Sequence, residues 1–279
     1  MKRSTQFCFL ALIALTPWQS KAACPAPHTS GDLIAHVRSC IGNAEKGVSK
    51  IDNPEIFDIP GMSGRNVQHF LNNLCSLPNA SYLEIGVWKG STLVSALYRN
   101  TSVQAIAIDS WADRDQGSFF KRWAKKVLSS LPVPSLKARY GDPQGVFIAN
   151  VDKYLSVGSL QFYESDCFAL EKDKIFKNPV NIYFYDGNHE EINHEKAFTF
   201  FDSILDKTFI AVVDDWNWPE VRRGTFAAFD QLGYKVKYSK EWLTEKADKA
   251  TWWNGLYVAV IERPGSTNFH PNRMPVQIE

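Results

Sequence analysis

Short apolar runs recur along this chain and are separated by stretches with helical periodicity, and that alternation restricts the fold more than any other feature. The runs are Tyr82 to Ile85, Gln104 to Ile108, Leu160 to Tyr163, Asn181 to Tyr185 and Phe209 to Val213. Strands this short and this apolar are buried on both faces, and strands that alternate with helices form a parallel sheet covered on both sides. Val67, Phe70, Leu71 and Leu74 recur at i, i+3, i+4 and i+7, so a helix leads into the first strand. Ala197, Phe200, Phe201, Ile204 and Leu205 share one face of the crossover after the fourth strand. Val221, Ala228, Phe229 and Leu232 do the same for a helix that begins at Pro219. Tyr234 to Tyr238 and Leu256 to Ile261 have no helix between them and read as an antiparallel closing pair.

With 279 residues, 44% of them hydrophobic, the chain supports one large globular domain over residues 63–264. Residues 24–62, rich in Pro, Gly and Asn, show no sustained period and read as a loosely structured extension that wraps the core; residues 265–279 read as a flexible tail. Residues 1–23 read as a signal peptide. Lys2-Arg3 precedes an apolar run from Phe7 to Trp18, and the small residues Ala22 and Ala23 suit cleavage. The run is too short to span a bilayer, so the mature chain is expected to be exported, periplasmic or secreted, without a stable membrane span.

Removing that segment takes away Lys2, Arg3 and Lys21, so the formal charge of +1 falls to about −2, which leaves no electrostatic footprint for nucleic acid. The basic aromatic stretch Phe119 to Trp123 reads as an amphipathic helix with solvated lysines. Cys24, Cys40, Cys75 and Cys167 remain, an even number that permits two disulfides in an oxidising compartment. Cys24 with Cys40 is the favoured pair, because both lie ahead of the core, and Cys75 reads as a buried helix residue.

Ligands of doubly wound sheets bind beyond the carboxyl ends of the strands. The first strand runs into Glu84-Ile85-Gly86-Val87-Trp88-Lys89-Gly90-Ser91-Thr92. Gly86 allows a tight turn, Gly90 allows a ligand close to the backbone, and Ser91 or Thr92 can cap the next helix. The spacing lacks the G-x-G-x-x-G arrangement of dinucleotide folds. Glu84 suits a ligand that carries ammonium and sulfonium charges rather than a pyrophosphate. Asp109, followed by Ser110, ends the second strand, where it can accept two ribose hydroxyls. Asp166 follows the third, within reach of an adenine amino group.

This ordered series, continued by Asp186-Gly187-Asn188-His189 and Val212-Val213-Asp214-Asp215, resembles the O-methyltransferase-like branch of the class I S-adenosylmethionine-dependent methyltransferases over residues 63–263. The resemblance implies a Rossmann-like methyltransferase fold, an α/β doubly wound, mostly parallel seven-stranded sheet with an antiparallel closing strand. It implies S-adenosyl-L-methionine as cofactor, held by Glu84, Gly86, Trp88, Gly90, Ser91, Thr92, Asp109, Ser110, Asp166 and Asp186. The commonest form of the family has Gly where Trp88 stands. Metal-dependent members hold Mg²⁺ through acids that correspond to Asp186, Asp214 and Asp215, and hard oxygen ligands suit that ion. The alternative is that Asp186 and Asp214 cap the following turns. His189, with Asp186, falls where catechol-type relatives carry their catalytic base. An imidazole suits proton removal near pH 7, although a loop histidine can also be ordinary surface; His194 is a weaker candidate. Trp88, Trp111, Trp216 and Trp218 follow strand ends and can wall an apolar pocket for a small-molecule or glycan hydroxyl acceptor. A second expectation, from the export signal, is a binding protein that keeps the fold without catalysis, because the donor is made inside cells.

Overall fold

The computed structural model describes residues 28–111, 142–156, 160–245 and 248–265. The signal-like segment, Cys24, the Phe119 to Trp123 stretch and residues 266–279 lie outside the described residues. Seven strands form one sheet in the order β3-β2-β1-β4-β5-β7-β6. They are β1 (Ser81–Ile85), β2 (Gln104–Asp109), β3 (Leu160–Glu164), β4 (Val180–Tyr185), β5 (Leu205–Asp214), β6 (Lys235–Trp242) and β7 (Leu256–Glu262). β1 pairs parallel with both β2 and β4, and the β2–β3 and β4–β5 pairs are parallel too. β7 runs antiparallel between β5 and β6 and is the closing strand of opposite direction. The chain winds outward from β1 to β3, then returns to β4, so the switch in direction opens a crevice at the carboxyl ends of β1 and β4.

The apolar runs form strands because the sheet buries them on both faces: every residue of β4 is buried, as is the run Phe209 to Asp214 of β5. One face is covered by α1 (Ser30–Glu45), α2 (Arg65–Leu74), α3 (Ser91–Leu97) and α4 (Pro143–Tyr154); the other by α5 (Glu191–Phe201) and α6 (Pro219–Leu232). Pro219 stands in the first turn of α6, where its missing N–H costs nothing, and Gly233 ends the helix in the left-handed conformation. No helix of the described residues is long and apolar enough to cross a membrane.

The extension is more ordered than its composition suggests. Thr29 and Asp32 close a capping box, the Thr29 hydroxyl accepting from Asp32 N and the Asp32 carboxylate accepting from Thr29 N, and α1 runs on for 16 residues. Leu33, Val37, Cys40, Ile41 and Ala44 form its buried face. Its helical period is real but weakened by Gly31, Gly42 and small polar residues, so the pattern does not stand out in the sequence. Cys40 belongs to that face and is free, as are Cys75 and Cys167. The expected Cys24–Cys40 pair involves Cys24, which lies outside the described residues. Burial pushes the Cys40 thiol up to about 12, so it packs as a small apolar group.

Candidate active site

The loop after β1 is held from the end of β2. Asp109 accepts from Trp88 N at 2.7 Å through Oδ2 and from Trp111 N at 2.8 Å through Oδ1. The Trp111 indole N–H then donates to the Trp88 carbonyl at 2.7 Å, and its ring packs on Phe147 with centroids 5.1 Å apart. These bonds stabilise a left-handed backbone at Trp88 (φ 45°), a conformation that costs a non-glycine residue about 1–2 kcal/mol. Gly86, at φ 89°, has the stricter requirement: a Cβ there would lie 1.9 Å from the Asp186 carbonyl oxygen. That contact fixes how closely the ends of β1 and β4 approach.

Glu84 is fully buried behind this loop. Tyr82 donates to its Oε2 at 2.6 Å and Thr92 to its Oε1 at 2.5 Å. Burial raises its carboxyl to about 7, against the pull of those two hydroxyls. Its position makes Glu84 a brace for Thr92, one layer back from the cleft. The N-cap of α3 is Gly90, with φ 86°, so neither Ser91 nor Thr92 caps the helix as the sequence suggests. Thr92 is spent on Glu84, and the Ser91 hydroxyl accepts from Gln68 Nε2 at 3.1 Å.

A small cleft opens in front of the loop, walled by Gly86 to Lys89, Ser91, Thr92 and Asp186. Its remaining wall is Gly61, Met62 and Ser63, mostly from the segment that the sequence assigned to the extension. The signal that could have found this strap is the glycine pair Gly61 and Gly64 immediately ahead of a helix. Asp166 and Ser110 are exposed at the ends of β3 and β2, and Asp166 accepts from Phe168 N at 2.9 Å, capping a short turn.

At the ends of β4 and β5, Asp186, His189 and Asp215 each offer one ligand atom, all within 4.8 Å of one another. His189 Nε2 pairs with Asp215 Oδ2, Asn254 donates to Asp215 Oδ1 at 2.7 Å, and the imidazole lies against Trp218 with centroids 4.6 Å apart. Asp214 does not join them. It is the last residue of β5, it is buried, and its Oδ1 has no hydrogen-bond partner among the described residues. Burial first, and the neighbouring Asp215 charge second, hold its carboxyl well above the usual carboxylate range. Of the expected triad of Asp186, Asp214 and Asp215, the first and last come together with His189 beside them; Asp215 follows the end of β5 in a left-handed conformation (φ 54°), whereas Asp214 is buried in the strand.

Trp216 is also not at the site. It is fully buried, stacks on Tyr257 at 4.3 Å, and donates to Glu241. Trp218, 44% exposed, remains at the rim. His194 is buried in the seam between α5 and α6, with neither ring nitrogen hydrogen-bonded among the described residues, and burial lowers its pKa to about 3.

No family profile matches this sequence, and no curated protein is similar to it in sequence. Several solved structures are similar in shape. One is the O-methyltransferase TomG from Streptomyces achromogenes in complex with SAM, at 14% identity, with 81% of this chain and 89% of that chain covered and a TM-score of 0.47. Another is the O-methyltransferase from Bacillus cereus in complex with SAH, at 10% identity, covering 86% and 94%, with a TM-score of 0.45. A third is TrmK of M. capricolum with S-adenosyl-homocysteine, at 15% identity, covering 70% and 67%, with a TM-score of 0.40. The seven-stranded order with a lone antiparallel β7 is the Rossmann-like methyltransferase fold expected from the sequence.

Proposed function

We propose that the chain is an S-adenosylmethionine-dependent methyltransferase that methylates a hydroxyl oxygen of a small-molecule or glycan acceptor. The observation that carries this reading is a single crevice at the switch point: the Asp109-anchored Gly86 to Gly90 loop, the Glu84–Thr92 brace and Asp186 meet there beside a paired imidazole. The residues fit the donor. Lys89 and Asp186 give the cleft one positive and one negative wall group, as an amino-acid end requires, and Ser63 Oγ is buried without a partner among the described residues.

When bound, the donor supplies an electrophilic methyl whose S–C bond breaks as the new O–C bond forms. His189 is oriented by Asp215 through Nε2, which leaves Nδ1 to take the hydroxyl proton; Asp215 then stabilises the imidazolium. Trp218 flanks the imidazole and limits its water. A divalent cation is a second reading, favoured by the convergence of Asp186, His189 and Asp215. A nitrogen ligand moves the preference from Mg²⁺ toward Mn²⁺, Fe²⁺ or Zn²⁺. One imidazole cannot be both base and ligand, and loss of turnover in excess chelator would select the metal.

Calorimetry with S-adenosylhomocysteine tests the main reading. Wild-type protein is expected to bind, and Asp109→Ala to bind more weakly by about 2 kcal/mol, through loss of the loop anchor and of a charge-assisted acceptor. Absence of binding rejects the proposal, and binding without transfer to any acceptor leaves the catalytically silent alternative. Export is proposed from residues 1–23, and N-terminal sequencing of native protein is expected to begin at Ala23 or Cys24; retention of Met1 rejects it.

A further inference from the structure

We infer that Asn254 is a positioning residue of the reacting side, whose amide turns the Asp215 carboxylate toward His189, an assignment that rests on His189 being the base of the proposed reaction. The Asn254 amide donates to Asp215 Oδ1 at 2.7 Å, while Asp215 Oδ2 pairs with His189 Nε2. Asn254 lies 39 residues beyond Asp215, just ahead of β7, and acts on the imidazole through that carboxylate.

The direction of the Asn254 amide follows from a main-chain group. Thr244 N can only donate, and it donates to Asn217 Oδ1 at 2.9 Å. The Asn217 amide nitrogen is then the end that meets acceptors, the Thr244 carbonyl at 2.6 Å and Asn254 Oδ1 at 3.1 Å. With its oxygen so engaged, Asn254 has its N–H to give to Asp215. The chain of bonds from Thr244 N to the imidazole therefore runs with one polarity.

The backbone under this chain is held as firmly as the side chains. Asp215 and Trp253 are both left-handed, at φ 54° and 55°, and strained residues of this kind persist only where their surroundings over-determine them. Here two main-chain bonds join them: Trp216 N donates to Gly255 O at 3.3 Å and Asn217 N to Asn254 O at 3.0 Å. Gly255, at φ 87°, permits the approach, since an added Cβ would come within 2.7 Å of Asn217 Oδ1. What this junction places against Asp215 is a neutral donor. An amide orients the carboxylate without cancelling the charge that stabilises the imidazolium.

Ring-nitrogen NMR of isotope-labelled protein, free of ligand and in alkaline buffer, reads the tautomer of His189, with His189→Gln to assign its signals. In wild type the Nε2–H form is expected to predominate, because Asp215 accepts from it. Asn254→Leu keeps the volume and removes the donor, and is expected to lower the ratio of Nε2–H to Nδ1–H roughly fivefold, the contribution of one side-chain hydrogen bond. Asn254→Asp keeps the shape and puts a like charge beside Asp215, so it is expected to lower the ratio at least as far. In an Asp215→Ala background neither substitution is expected to move the ratio, since the group through which Asn254 acts is gone. Calorimetry with S-adenosylhomocysteine is expected to give Asn254→Leu an affinity within about twofold of wild type. An unchanged ratio in both variants, or an equal change without Asp215, overturns the assignment and leaves the methyltransferase reading intact. Wild-type protein that binds no S-adenosylhomocysteine overturns that reading and, with it, the reaction that Asn254 is assigned to serve.

Discussion

The carboxyl ends of β1 and β2 and those of β4 and β5 carry the same kinds of side chain in opposite states. At β1 and β2 each carboxylate oxygen of Glu84 and Asp109 accepts a hydrogen bond from the chain itself. At β4 and β5, Asp214 Oδ1 is buried without a partner among the described residues, and so are both ring nitrogens of His194 on the helix after β4. The first region is finished before a ligand binds, so it shapes a loop; the second keeps polar groups unmatched behind the Asp186, His189 and Asp215 cluster. On the proposed reading, donor binding falls to the first side of the switch point and proton transfer to the second.

The largest test of this contrast concerns Glu84. Its carboxyl stands near 7 in the folded chain against 4.5 when unfolded, so between those values the folded state holds the extra proton and stability falls as pH rises. The loss, complete above pH 7, amounts to about 3 kcal/mol at 1.36 kcal/mol per pH unit. Glu84→Gln is expected to flatten that slope in denaturant titrations of ligand-free protein between pH 4.5 and 8. A slope as steep as wild type would show that another group sets it.

Next in size is the imidazole. His189→Ala is expected to lower turnover roughly 100-fold while S-adenosylhomocysteine affinity stays within about threefold, because the base sits on the reacting side. Weakened donor binding of the same size would erase the division between the two regions. The smallest effect is expected at Trp88. Trp88→Gly relieves its left-handed backbone but gives up the Lys89 contact, 4.6 Å from ammonium to ring centre, so the two changes offset and the unfolding free energy moves by less than about 1 kcal/mol. A loss well beyond that would make the tryptophan ring a structural part of the loop.

The sheet was legible because parallel strands buried on both faces read as short, mostly apolar runs, clearest in β4 and in Phe209 to Val213 of β5. The acids at the ends of β1 and β2 were legible from the same register, since a strand that stops at a known residue places the next side chain in the crevice. That Asp214 stays in the sheet while Asp215 stands beside His189 was not legible, because the chain turns into a left-handed conformation at Asp215, just past the end of β5. Helix α1 and the strap were missed for different reasons. In α1 small residues dilute the stripe, whereas Gly61 to Gly64 has no period at all, and its role comes from contacts to Ser91 and Thr251, which are 30 and more residues away.

β7 completes the sheet from the end of the domain. Leu256–Glu262 is made after β6, yet it occupies the place between β5 and β6, and its seven residues are almost entirely buried. During synthesis, β5 therefore has an open edge until residue 262 has left the ribosome, and β6 has no partner at all. A nascent chain in this condition cannot close its fold early. Its sheet is complete only when the last strand has paired with both β5 and β6.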